Sequence, residues 1–387
     1  MTARLNARLA PFGTTVFAEM TQRALQFDAV NLGQGFPDTD GPAEMVEAAA
    51  RGLRDGLNQY APARGLPVLR EAVAAHQERF YGLAVDPQSE VLVTVGATEA
   101  IAAALLALVE PGDEVLVVEP YYDSYAACVA MAGGVRRTVP LSFPDLALDV
   151  GALRASVGDR TRVVLLNSPH NPTGKVFDRE ELEAVARVAL EHDLVVISDE
   201  VYEHLVFDRL EHVPMASLPG MADRTLTISS VGKSFSLTGW KTGWVTGPAD
   251  LVGAVAAAKQ FLTFVGVTHV QPAVALGLGL PDDYFTGFAR SLQDRRDLLV
   301  DALGDVGVPV SPCQGTYFVI ADFADHGVTD AVDFCRRLPE EVGVVGVPVS
   351  AFCDDVAPVA SLVRFAFCKR EDVLREAARR LRALRAR

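Results

Sequence analysis

The chain has 387 residues, half of them hydrophobic, enough to bury a sizeable core divided between two domains. Fifty acidic against 35 basic residues leave a net charge of −15, which argues against nucleic acid and anionic membrane as partners, because both need clustered positive charge. The opening residues lack a secretory apolar core, and the most apolar run, AIAAALLALV (100–109), is far shorter than the roughly 20 residues that cross a bilayer, so a cytoplasmic protein is expected.

In chain order, EVLVTVG (90–96) predicts a strand and ATEAIAAALLALV (97–109) a helix. DEVLVVE (113–119) predicts a second strand, and SYAACVAMAGG (124–134) a helix stopped by glycine. TRVVLLNSP (161–169) and LVVISDE (194–200) predict strands on either side of a helix, DREELEAVARVALEHD (178–193), whose acidic start suits a helix N-terminus. RTLTISS (224–230) and TGWVTGP (242–248) predict two more strands. Continuous Val/Leu/Ile runs imply strands buried on both faces, as in a parallel sheet covered by helices. Beyond residue 280 the texture changes. A long helix (285–307), shorter strands (316–323 and 361–368) and a basic terminal helix (370–387) predict a smaller α+β lobe, completed by the N-terminal arm. The arginines of that last helix are expected to meet its own dipole and the acidic body. Five cysteines with no CxxC spacing fit a reducing compartment.

Polar residues cluster where the apolar strands stop. Asn171 lies in NSPHNPTG, Asp199 closes LVVISD with Tyr202 three residues on, Ser230 and Lys233 follow RTLTIS, and GATEA (96–100) joins a strand to a helix. Each also has a plain structural reading: a turn at NPTG, a helix cap at Asp199, a tight helix start at GAT. An open α/β sheet, however, brings its strand ends to one crevice. There, the N–H groups of Ala97 and Thr98, the Thr98 and Ser230 hydroxyls and the Lys241 charge suit a phosphate. A buried carboxylate demands a cation, Asn171 and Tyr202 suit a phenolic oxygen, and Lys233 is a poor nucleophile unless desolvated or set near another cation. Pyridoxal phosphate uses all of these groups at once.

SxxKxxxxxGxK (230–241), NSPHNPTG, SDEVYEHL and VRFAFCK resemble the class I aminotransferases of the fold-type-I pyridoxal phosphate superfamily. NLGQGFPD (31–38), LNQYAPARG (57–65), EPYYDSY (119–125), GTYF (315–318) and VPVSAFC (347–353) resemble the branch of kynurenine, methionine and actinobacterial N-succinyldiaminopimelate aminotransferases. The resemblance implies a large α/β domain, 36–279, with a mainly parallel seven-stranded sheet sandwiched by helices, and a smaller α+β domain from 1–35 and 280–387. It further implies that Lys233 joins the cofactor aldehyde as a Schiff base and moves the substrate proton, and that Asp199 pairs with the ring nitrogen. Asn171 and Tyr202 would bind O3′, Tyr122 would stack on the ring, and Gly96, Ala97, Thr98, Ser230 and Lys241 would hold the phosphate. Arg364 would grip the substrate α-carboxylate, with Asn171 and the backbone of Gly35 beside it; its structural alternative is a salt bridge within the small lobe. Tyr60 would reach the neighbouring site of a homodimer.

Where the kynurenine-type enzymes line their pocket with aromatic and histidine residues, this chain has Thr15, Thr98, Gly266 and Val267, which favours a longer, polar, acidic side chain. The expected reaction is ping-pong amino transfer between an L-amino acid and a 2-oxo acid, with N-succinyl-diaminopimelate and 2-oxoglutarate/glutamate first, as in lysine biosynthesis. A kynurenine, glutamine or methionine aminotransferase, with cysteine-conjugate β-elimination as a further activity, is the alternative. A cofactor-sensing transcription regulator is disfavoured, because about 30 residues before NLGQGFPD are too few for a winged helix-turn-helix.

Overall fold

The computed structural model describes residues 6–13 and 16–386; Thr15 and the first five residues, on which the leader expectation partly rests, lie outside them. The central sheet runs in the order Val91–Thr94, Gly243–Thr246, Thr225–Ser230, Val195–Asp199, Thr161–Asn167, Glu114–Glu119, Val135–Ser142, Ala147–Leu148. The strands from Thr225–Ser230 to Val135–Ser142 pair in parallel, whereas Gly243–Thr246 runs antiparallel to both its neighbours. Val135–Ser142, not placed from the sequence, brings the sheet to the expected seven strands, and the two-residue edge piece Ala147–Leu148 adds an eighth.

The apolar strands are continuous because successive residues serve opposite helix layers. Val115, Val117, Val163, Leu165 and Ile197 pack with the helices Gly96–Leu108, Asp123–Ala132 and Ala249–Lys259. Leu116, Val118, Val164, Leu166 and Val196 pack with Arg179–Glu191 on the other face. That helix starts in a capping box, in which the Asp178 carboxylate accepts from the Glu181 N–H while the Glu181 side chain accepts from the Asp178 N–H. Gly133, in the left-handed region, ends Asp123–Ala132.

The remaining strands form a three-stranded sheet, Phe318–Asp322, Leu362–Ala366 and Val347–Pro348, and a parallel pair, Val30–Asn31 with Val344–Val345, which ties the N-terminal segment to the C-terminal part. Val201, Tyr202, Leu205 and Phe207 join the core beneath this smaller sheet. The basic terminal helix, Glu371–Leu381, satisfies its arginines within itself: Arg375 meets Glu371, while Arg379 and Arg380 meet Glu376. Arg380 also donates to the Asp28 and Gly343 carbonyls. No helix among the described residues is long and apolar enough to cross a membrane.

Candidate active site

The parallel strands all release their chain at one edge of the sheet. Gly243–Thr246 runs the other way, so the residues just before it, Lys241 and Thr242, arrive at that same edge. A cavity of about 500 Å³ opens there, roofed by Phe17, Gln34, Gly35 and Phe36 from the N-terminal segment and by Phe318 and Arg364 from the small sheet. Lys233, Asp199, Tyr202, Asn171, Tyr122, Gly96, Ala97, Thr98, Ser230, Lys241, Gly35 and Arg364 all line it. Tyr60 does not. It is 80% exposed and lines a second cleft with Gly266 and Val267.

Gly96 begins the helix Gly96–Leu108 with φ +72°, and a Cβ there would stand 3.3 Å from Lys241 Nζ. Lacking one, Gly96 lets that ammonium lie against the helix start, where free N–H groups and the positive end of the dipole attract an anion. Lys241 itself adopts φ +47°, a conformation that costs a non-glycine residue about 1 kcal/mol or more.

Asp199 ends its strand almost fully buried. Its Oδ2 accepts from Tyr125 Oη–H at 2.6 Å and its Oδ1 from the Val201 N–H at 3.3 Å. Among the described residues no basic side chain forms an ion pair with it, and burial raises its pKa to about 6 despite those hydrogen bonds. Burial likewise lowers the Lys233 pKa to about 8, making a usable fraction of free amine near neutral pH.

Arg364 is 2% exposed, in the strand Leu362–Ala366. Its guanidinium is held among the rings of Phe318, Phe352 and Phe17, at 4.1, 4.7 and 5.3 Å. It donates to Asn171 Oδ1 at 3.1 Å and to the Gly33 carbonyl at 3.0 Å, while its buried Nε–H has no acceptor among the described residues. The salt bridge that would make it structural is absent among the described residues, and burial lowers its pKa to about 10. A buried guanidinium with an unmet donor, facing a cavity, is a site for a carboxylate.

Three contributors escaped the sequence reading. Asn167 joins two strand ends: its Nδ2 donates to the Asp199 carbonyl at 2.8 Å and its Oδ1 accepts from the Asn171 N–H at 2.7 Å. Tyr125 supports Asp199, and Tyr317 Oη lies 2.9 Å from Lys233 Nζ. Tyr125 and Tyr317 stand inside EPYYDSY and GTYF, so their signal was present, but only folding assigns their partners.

A helix start with a lysine laid across it, a buried carboxylate with no cation paired to it among the described residues and a lysine amine with a lowered pKa are groups that would suit the phosphate, ring nitrogen and aldehyde of pyridoxal phosphate. That donor set and the fold agree with the match to the family model for aminotransferase class I and II, which covers residues 28–381. The chain belongs to this family and is a pyridoxal-phosphate-dependent aminotransferase of fold type I. It is 54% identical to the probable N-succinyldiaminopimelate aminotransferase DapC of Mycobacterium tuberculosis, over 98% of each chain. It is 40% identical to the methionine aminotransferase of Escherichia coli, again over 98% of each. The solved structure of the N-succinyldiaminopimelate aminotransferase from Mycobacterium tuberculosis superimposes with a TM-score of 0.96, covering 98% of this chain and all of that one, at 54% identity.

Proposed function

We propose that the chain transfers the amino group of N-succinyl-diaminopimelate to 2-oxoglutarate, as a homodimeric cytoplasmic enzyme with its large domain at 36–279 and a small domain from 1–35 and 280–387. The observation that carries the substrate is the 54% identity, over 98% of each chain, to the DapC relative, against 40% for the methionine enzyme. The absence of an aromatic side chain at Thr98, which lines the cavity, supports it, since an extended acidic substrate needs room rather than a stacking surface; Gly266 and Val267 line the second cleft with Tyr60 instead.

In this reading Ala97, Thr98, Ser230 and Lys241 hold the phosphate, Asp199 pairs with the ring nitrogen, and Asn171 and Tyr202 bind the ring hydroxyl. Pyridoxal phosphate supplies an electron sink and carries the amino group between the two substrates. Arg364 orients the substrate through its α-carboxylate, using the Nε–H that otherwise stays unmet. Lys233 Nζ, partly uncharged because desolvation lowers its pKa, then takes the proton from the substrate Cα. Asp199, offered a cation, loses the burial penalty that raises its pKa and stays ionised.

The purified protein should be yellow, and borohydride should fix the cofactor on Lys233. With a panel of amino donors against 2-oxoglutarate, N-succinyl-diaminopimelate should give the highest kcat/KM. A higher value for methionine, glutamine or kynurenine would reassign the substrate, and pyruvate released from cysteine conjugates faster than any transamination would reassign the reaction.

A further inference from the structure

Among the described residues, the Lys233 amine has one hydrogen-bond partner, Tyr317. Its Nζ lies 2.9 Å from Tyr317 Oη, and that oxygen lies 2.7 Å from the carbonyl oxygen of Gly35. A carbonyl only accepts, so in this contact the phenolic proton points to Gly35, with the Tyr202 hydroxyl beside the same oxygen. Tyr317 therefore meets the amine with a lone pair, and Lys233 must use one of its N–H bonds. The nitrogen's own lone pair is left free.

Tyr317 is well placed to keep that arrangement. It is 1% exposed, its ring stands edge-on to Tyr202 at 5.3 Å and tilted against Phe318 at 4.8 Å, and burial holds its phenol far above the ordinary range, so it remains protonated. The Gly35 backbone is pressed into the same corner: a Cβ there would fall 2.3 Å from the Phe318 ring and 3.3 Å from that of Tyr317. Two residues earlier, the Gly33 carbonyl accepts from Arg364. The segment that contacts the carboxylate-binding arginine is thus tied, through one hydroxyl, to the lysine.

We propose that Tyr317 is the positioning residue for Lys233: its hydroxyl holds the amine in the steps when it is not joined to the cofactor, with the lone pair free to accept the substrate Cα proton. This rests on the reading of Lys233 as the cofactor-bearing lysine. In the step itself the Cα–H bond breaks, the proton forms a new N–H bond on Lys233, and the electron pair passes to the electron sink. When Lys233 gives the proton up again it returns to the amine held by Tyr317.

The test is Tyr317→Phe, which removes the oxygen and keeps the ring. In the cofactor-free full chain, the pH dependence of Lys233 acylation by acetic anhydride, followed by mass spectrometry, reports the amine directly. Asp199, Tyr202, Cys368, Lys241 and Arg364 also face or act on that amine and are unchanged in the variant. An oxygen acceptor favours the ammonium over the amine, so the labelling midpoint should fall by about half a pH unit or more. In the loaded enzyme, kcat should drop roughly tenfold or more, while KM for the amino donor and cofactor affinity stay within about twofold. An unshifted midpoint with parental kcat, in a variant that binds cofactor normally, overturns the proposal, as does a loss of cofactor affinity in step with kcat. A parent chain that never joins pyridoxal phosphate at Lys233 would instead overturn the underlying reading, and this one with it.

Discussion

At 4% exposure, with Tyr125 as its nearest hydrogen-bond donor, the Asp199 carboxylate costs the cofactor-free protein stability. The folded pKa, about 6, lies above the unfolded value of 3.8, so the folded state holds the extra proton between the two. Stability is therefore lost as pH rises through that window and the penalty is complete above it, at roughly 3 kcal/mol for a shift of about two units. In cofactor-free protein Asp199→Asn should melt higher than the parent at pH 7, with the difference vanishing near pH 4. Equal melting temperatures at pH 7 would mean that the carboxylate is already neutralised. Arg364→Ala should raise KM for amino and keto acids alike by 10-fold or more, since both present the same carboxylate to a bidentate donor, while the cofactor absorbance stays intact. An unchanged KM would make the arginine structural. The residue types at both positions were legible in the sequence. The contacts of Asp199 with Tyr125 and of Arg364 with Asn171 were not, because each joins residues far apart along the chain.

The helix Gly96–Leu108 does two jobs: its apolar face packs the sheet, and its first turn faces the cavity. Gly96→Ala would place a methyl against Lys241 Nζ and hold alanine at φ +72°, so cofactor affinity measured by absorbance titration should weaken about tenfold, with little change in far-ultraviolet circular dichroism. Parental affinity would show that the ammonium moves aside freely. Elements with an apolar period, such as Glu114–Glu119 and Val195–Asp199, could be read directly from the sequence. Val135–Ser142 escaped. Its first half is largely exposed and carries Arg136 and Arg137, so it lacks the apolar run that marks its neighbours. Arg137 is drawn to Glu114 on the next strand, and Arg136 to Asp354.

On the scale of the whole molecule, Phe264 and Val267 stand exposed beside Tyr60, and in the same stretch of chain Phe261, at 85%, and Leu262 are exposed as well. Tyr60 meets the Phe264 ring edge-on at 5.4 Å, and both belong to this exposed region rather than to the cavity of their own chain. A surface of this kind suits a second copy. The chain should sediment as a dimer, and Tyr60→Phe should weaken cofactor binding several-fold although Tyr60 lies outside its own cavity. Mixed dimers of Tyr60→Phe with Lys233→Ala should then recover one site of parental affinity. Failure of mixing to restore it would place the tyrosine's effect within its own subunit.

What the sequence determined by itself was the alternation of apolar strands and helices, the polar residues at the strand ends and the family they resemble. These are properties of neighbouring residues and fixed spacings, and they survive in one dimension. Only the tertiary structure decided that Gly243–Thr246 runs backwards and delivers Lys241 to the same edge as Lys233. It alone decided that Arg364 stands in an aromatic cage with no carboxylate paired to it among the described residues, and that the Tyr317 hydroxyl meets the lysine amine. Each of these depends on how separate segments pack, Tyr317 and Lys233 for instance standing 84 residues apart, and the local pattern of the chain carries no record of which surface each side chain will meet.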